Sequence, residues 1–248
     1  MAHRLLLTPA RLDALAIAAW GILLLLYALR GDLDLLINRH YQPLTVVAAL
    51  ALLGLAIARL RLEQRGLAAR LGRHSSLLPR RLGAWILLGT ALIGFWVPPR
   101  LAANELASRR SYSELTGIGR SQPQSFRVQQ RPEQRSIPDW IRTFAVYPEP
   151  DAYQGQPVNV TGFVMHPGEL PADYLLISRF VLTCCAADAY PIGLPVKLPQ
   201  GDRRAYPTDQ WLQVQGRLAT ATVAGKRQAI VEARQLTPVA APRNPYDS

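Results

Sequence analysis

Cysteine is almost absent: the 248-residue chain has two, and they are adjacent, Cys184 and Cys185. That excludes a disulfide framework, so any globular part must be held by its own core. Lysine is nearly absent as well, with Lys197 and Lys226 the only two among 28 basic residues. We read the arginine preference as codon bias rather than chemistry. Catalytic signatures are missing: there is no G-x-S-x-G, H-E-x-x-H, C-x-x-C or glycine-rich phosphate loop. A Cys185–His166–Asp188 nucleophilic triad has only residue type behind it, and we expect no enzyme. Acidic residues are few, 17 against 28 basic, giving a net charge of +11. A nucleic-acid-binding domain would carry that charge on its own basic face. Here residues 137–248 hold ten basic and ten acidic side chains and are neutral, while residues 59–81 alone contribute +6. Nucleic acid is therefore not an expected partner.

What the chain has instead is apolar length. Three runs fill the first hundred residues: Leu12–Leu29, Leu44–Leu60 and Leu82–Val97. A helix of about 17–25 mostly apolar residues crosses a bilayer core. The first two runs meet that length, and the third borrows flanking residues to span about 82–98. Leu12–Leu29 is long for a cleavable signal core, and no small-x-small site follows it, so we expect it to be retained. The segment between the second and third runs, 59–81, has seven arginines and one glutamate. Basic loops stay cytoplasmic. That orients the chain with its N-terminus inside and everything after Val97 outside. Arg100, Arg109 and Arg110, on the outer side, run against that assignment. The basic flanks also suit anionic headgroups of the lipid bilayer.

Residues 1–99 thus read as a transmembrane region. Residues 100–136 are rich in Ser, Gln, Arg, Pro and Gly and read as a mobile polar linker. Residues 137–240 read as an extracytoplasmic β domain and 241–248 as a tail. Ser136 before Pro138 and Asp139 is a helix-start signal, and Pro148 stops the helix predicted over 138–146. Beyond it the period becomes two. Strands are expected at Val158–Met165, Tyr174–Cys185, Ile192–Leu198, Gln210–Ala219 and Gln228–Val239. Gly162 and Gly216 sit inside strands, where a glycine lets a strand bend sharply. The fold class is therefore a membrane α region of three helices followed by a small OB-like five-stranded β-barrel, with a sandwich as the alternative. Trp211 or Leu212 is expected in the core.

The unusual local feature is RFVLTCCAADAYP, Arg179–Pro191. If the strand runs to Cys185, alternation puts Cys184 in the core with Phe180 and Leu182. Cys185 then lies on a polar face with Arg179 and Thr183, where a cation favours the thiolate. Asp188 follows three residues later and can converge on it. Three readings stay open: core packing, metal or thiol chemistry, and a strained vicinal disulfide. Two Cys and one Asp fall short of a full zinc shell. His166, at the end of the first strand, is the candidate fourth ligand for zinc or another soft metal, and His40 in the outer loop is a more remote one.

Tyr153–Val164, YQGQPVNVTGFV, Arg179–Ala189, RFVLTCCAADA, and Trp211–Gly216, WLQVQG, following membrane spans and a polar linker, resemble the DUF1980 family, a YcgQ-like group of bacterial permease subunits. The CCAADA core is the specific part of that resemblance. It implies an accessory role beside a separate multi-spanning permease and a link to metal homeostasis, with no substrate attached. The leading expectation is thus a membrane accessory subunit whose outer domain binds a metal or thiol-reactive solute. The alternative is a membrane-tethered thiol enzyme or a redox or metal sensor. The apolar centres of the three runs lack the charge that ion pathways usually need, so anchoring and packing on a partner suit them better than transport on their own.

Overall fold

The computed structural model describes residues 8–65, 79–97, 99, 112–116, 131–199 and 201–247. The chain divides into two compact units, Met1–Arg100 and Leu101–Ser248.

The first unit contains α1 (Pro9–Arg30), α2 (Gln42–Gln64) and α3 (Arg80–Trp96). Proline starts α1, and the Thr8 side chain caps it by accepting from Arg11 N–H. Side-chain bonds give the helix directions. Asp13, at the start of α1, meets Arg59 near the end of α2 at 3.4 Å, and Glu63 of α2 takes the Thr8 hydroxyl and faces Arg11. These helices are antiparallel. Trp20 donates to the Leu87 carbonyl at 2.9 Å and Tyr27 to the Gly94 carbonyl at 2.7 Å. Both partners advance seven residues together, so α1 and α3 are parallel. Small residues line the seams: Ala49 and Ala56 of α2, and Ala84 and Ala91 of α3, are buried. Large apolar residues point outward instead, among them Val47, Leu50 and Ile57 of α2 and Trp85, Ile93 and Trp96 of α3. A water-soluble helical core is built the other way round, so this unit is suited to membrane association. Two helical stretches, Pro9–Arg30 and Arg39–Gln64, are long and apolar enough to cross a membrane; the third, α3, has 17 residues and falls short of them.

The second unit contains α4 (Tyr112–Thr116), α5 (Ile137–Val146) and β1 (Pro157–Met165), β2 (Tyr174–Val181), β3 (Tyr190–Lys197), β4 (Trp211–Val223) and β5 (Lys226–Pro238), with a two-residue β6 (Tyr246–Asp247). The five long strands form one sheet in the order β1-β4-β5-β3-β2, with β6 beside β2. β1 also pairs with β2, so the order returns to its first strand. Phe163 is the switch point: it is opposite Trp211 on β4 and Ser178 on β2. The preceding Gly162 makes the approach achievable, because a Cβ there would lie 2.5 Å from the Ser178 carbonyl oxygen. Gly216 plays the same part at the β4–β5 irregularity, where a Cβ would lie 2.2 Å from the Glu232 oxygen.

Two apolar clusters follow from strand alternation. Leu175 and Ile177 of β2 join Val160, Leu212 and Val214 in the first, which α5 closes with Ile137, Trp140 and Ile141. Leu176 and Phe180, on the other face of β2, join Phe163, Ile230 and Tyr246 in the second. That face is covered by Tyr112 and Leu115 of α4, both buried. α5 starts with a capping box between Ser136 and Asp139, as the sequence signal implies.

Three expectations are corrected and one open choice, between Trp211 and Leu212, is decided. The linker expected over 100–136 lies mostly outside the described residues, but at 112–116 it is a helical turn docked on the sheet. The tail expected from 241 contains Tyr246, which is buried and opposite Phe180. Of Trp211 and Leu212, Leu212 is the fully buried one; Trp211 is half-buried and carries the Arg179 guanidinium 5.1 Å from its ring centroid. The second strand ends at Val181, four residues before Cys185.

These contacts predict that a fragment spanning 101–248 is more stable in urea than one spanning 137–240. The shorter piece loses Tyr112, Leu115, Tyr246 and the Ser136 cap, at a cost of about 2–4 kcal/mol. Equal unfolding midpoints and slopes would show that α4 and β6 are passengers. Within the longer fragment, Trp140→Ala should cost about 3–5 kcal/mol and Trp211→Ala clearly less.

Candidate functional site

The chain leaves β2 at Val181 and re-enters the sheet at Tyr190, its partner in register. The eight residues between form a tight corner, and Asp188 organises it. Its Oδ1 accepts from Thr183 N–H at 2.9 Å and its Oδ2 from Cys184 N–H at 2.7 Å. A short 3₁₀ turn, Ala186–Asp188, brings the carboxylate back, with Asp188 N–H donating to the Cys185 carbonyl at 2.9 Å. An aspartate whose side chain ties up backbone amides a few residues away is a common way to stabilise a turn without regular structure.

The corner reverses the expected roles of the two cysteines. Alternation requires a continuing strand, and this one has stopped. Leu182 still points into the second apolar cluster, but Cys184 is exposed and Cys185 half-buried. Their sulfurs lie 3.6 Å apart. Both are free thiols. Arg179, expected beside Cys185, is directed onto Trp211 instead.

The electrostatics follow from the same contacts. The Cys184 thiol is bonded to the Asp188 carboxylate and to Cys185, and its pKa is pushed up to about 11. The carboxylate prefers the proton to stay on sulfur. For Asp188 itself, partial burial disfavours charge. The bonds it accepts from the Cys184 thiol and from the backbone of Cys184, Thr183 and Cys185 outweigh this and hold its pKa below the usual carboxylate range. Tyr246 of β6 is close enough to feel that charge: burial first, and then Asp188, push its phenol up to about 12.

Among the described residues, Cys184, Cys185 and Asp188 are the group whose ligand atoms converge, all within 4.8 Å of one another. His166 is not part of it. It follows Met165, which is opposite Leu176, whereas the corner follows Val181 at the other end of β2. At about 3.3 Å per residue the two are separated by roughly 20–25 Å along the strand. There, burial and the nearby Arg203 lower the His166 pKa, partly offset by a backbone bond with Tyr206. His40 belongs to the first unit and bonds Asn38 at 3.0 Å. The parts that residue types did not reveal are the two backbone N–H groups that anchor Asp188. Their signal was an aspartate placed four and five residues after the amides it binds.

Geometrically the corner presents two sulfurs and a carboxylate to solvent, without a nitrogen base. The nearby carboxylate favours the protonated form of the Cys184 thiol.

Residues 139–247 match the family model described as the DUF1980 C-terminal domain. The matched segment runs from α5 to β6 and includes the whole corner. No curated protein matches the chain.

The thiol chemistry yields a direct expectation. Asp188→Asn removes the charge that holds the proton, so the Cys184 pKa should fall from about 11 towards its ordinary value near 9. At pH 8 the thiolate fraction then rises by more than the intrinsic nucleophilicity falls. Alkylation by iodoacetamide should be faster than in the parent, by at most about tenfold because Cys185 keeps part of the shift. An unchanged or slower rate would mean that Asp188 does not control the thiol.

Proposed function

We propose, from the premise that this chain belongs to the DUF1980 family through residues 139–247, that it is a membrane-anchored accessory subunit of a permease, not an enzyme. Its first unit is read as three spans in a bacterial inner membrane. The side-chain bonds between helices support this: α2 runs opposite to α1, and α3 runs with α1, as consecutive spans must. The arginine-rich 59–81 segment then lies in the cytoplasm with the N-terminus. The second unit lies outside the cytoplasm. Its ring of strand pairings, with β1 meeting both β4 and β2, is read as an OB-like barrel.

The observation that carries the functional reading is the corner of Cys184, Cys185 and Asp188, three donors within 4.8 Å on an outward-facing loop. Soft metals and thiol-reactive solutes are the ligands that two sulfurs select. Three spans without charge in their centres are better suited to packing on a partner than to forming a pathway alone. A tethered thiol enzyme or redox sensor is the weaker reading, because the only acid–base group in the cluster keeps the Cys184 thiol protonated.

Purification of the full chain from native membranes should recover one multi-spanning protein in a fixed ratio. A C184S/C185S variant should keep that partner and lose soft-metal or thiol-reactive solute binding. Recovery of the chain alone, under conditions that preserve other membrane complexes, would overturn the accessory role.

A further inference from the structure

The corner supplies three ligand atoms, and among the described residues no further His, Cys, Asp or Glu joins them. The spacing of the three is informative. Two thiolates on one tetrahedral ion, with metal–sulfur bonds of about 2.3 Å, lie about 3.8 Å apart, while a linear pair at the same bond length lies about 4.6 Å apart. The observed sulfur separation is 3.6 Å, nearer the tetrahedral edge than the linear span. The carboxylate lies within 4.8 Å of both sulfurs, and a movement of about 1 Å closes it to the tetrahedral sulfur–oxygen edge of about 3.6 Å.

The bonds already in place favour that closure. The Cys184 S–H is directed at the Cys185 sulfur with the Asp188 carboxylate within 4.8 Å of both, so a metal ion would replace thiol protons in a cluster that is already assembled. The backbone bonds from Thr183 and Cys184 occupy one acceptor site on each carboxylate oxygen, and a carboxylate has about four. The loop can therefore stay folded while Asp188 ligates. On binding, both thiol protons pass to solvent.

Resting on the metal-site reading above, we infer that Cys184, Cys185 and Asp188 hold a borderline divalent ion of the zinc class in tetrahedral geometry. The fourth position is left to an exchanging ligand, which makes this a transfer site. Structural zinc sites are closed by four protein ligands, whereas sites that do chemistry or exchange keep a position open. An exposed corner on a single hairpin-like turn, with His166 at the far end of β2, is built in the second way.

The test uses the reduced full-length chain in detergent, titrated with Co²⁺ and followed by absorption spectroscopy. The inference expects one ion per chain, ligand-field bands of tetrahedral intensity and thiolate-to-metal charge transfer. C184S and C185S should each remove about half of the charge-transfer intensity, and D188N should weaken binding roughly tenfold or more. Added imidazole should shift the ligand-field bands while the charge transfer persists, and His166→Ala should change nothing. If imidazole leaves the bands unmoved, or His166→Ala alters them, the fourth ligand comes from the chain. The open-site inference then fails while the metal reading stands. Binding of Cu⁺ with no uptake of Co²⁺ or Zn²⁺ has the same consequence. If no metal binds at all, both fail together.

Discussion

The second unit depends on one strand pairing with two neighbours at one residue. β1 runs along β4 from Pro157 and turns at Phe163 onto β2. The turn brings the Gly162 backbone against the Ser178 carbonyl with no room for a side chain. Everything downstream inherits its position from that closure. β2 becomes buried on both faces, one towards α5 and one towards α4 and Tyr246. A strand buried on both faces cannot continue far before it reaches solvent, and β2 ends at Val181. The corner that follows is short, exposed and held by a single carboxylate. The chemistry of the site thus begins where the packing of the sheet stops.

Much of this was legible from periodicity. The first halves of β1 and β4 alternate because one face is buried and the other is wet, and the expected spans of β1, β4 and β5 lie within a few residues of those observed. α5 was legible from Ser136, Pro138 and Asp139, because a cap is a local interaction. β3 was legible despite Pro191 and Pro195, since its pairing with β5 is confined to Val196 and Lys197 and the prolines take no part in it. What failed were features set by distant residues. A doubly buried strand gives a continuous apolar run with no internal sign of its end, so β2 was drawn out to Cys185. The consequence was an exchange of roles, with Cys184 placed inside and Cys185 outside. The docked turn Tyr112–Thr116 was hidden because two buried residues, Tyr112 and Leu115, are too few to make a period. Cys184, Cys185 and Asp188 were legible as a group because they are close in sequence. His166 was joined to them by residue type alone, and the antiparallel register of β1 and β2 separates them.

The first unit shows the same division. Hydropathy alone marked all three helices. Their mutual directions came only from side chains: Asp13 with Arg59, Trp20 with the Leu87 carbonyl, Tyr27 with the Gly94 carbonyl. In an apolar surrounding, bonds from an indole or a phenol to a neighbouring backbone have few competitors, and they fix register as well as direction. The interhelical ion pairs, Asp13 with Arg59 and Arg11 with Glu63, sit at the end of the pair where α1 begins and α2 finishes.

The central claim is that a sheet domain carries its two sulfurs and a carboxylate on the outer side of the membrane. Because the chain has only two cysteines, both in that corner, thiol labelling reports on it without ambiguity. A membrane-impermeant maleimide should be applied at mildly alkaline pH to right-side-out and to inverted membrane vesicles. The account predicts labelling of right-side-out vesicles, none of intact inverted ones, and none of a C184S/C185S variant in either. Labelling confined to the inverted vesicles would put the corner in the cytoplasm and contradict the account.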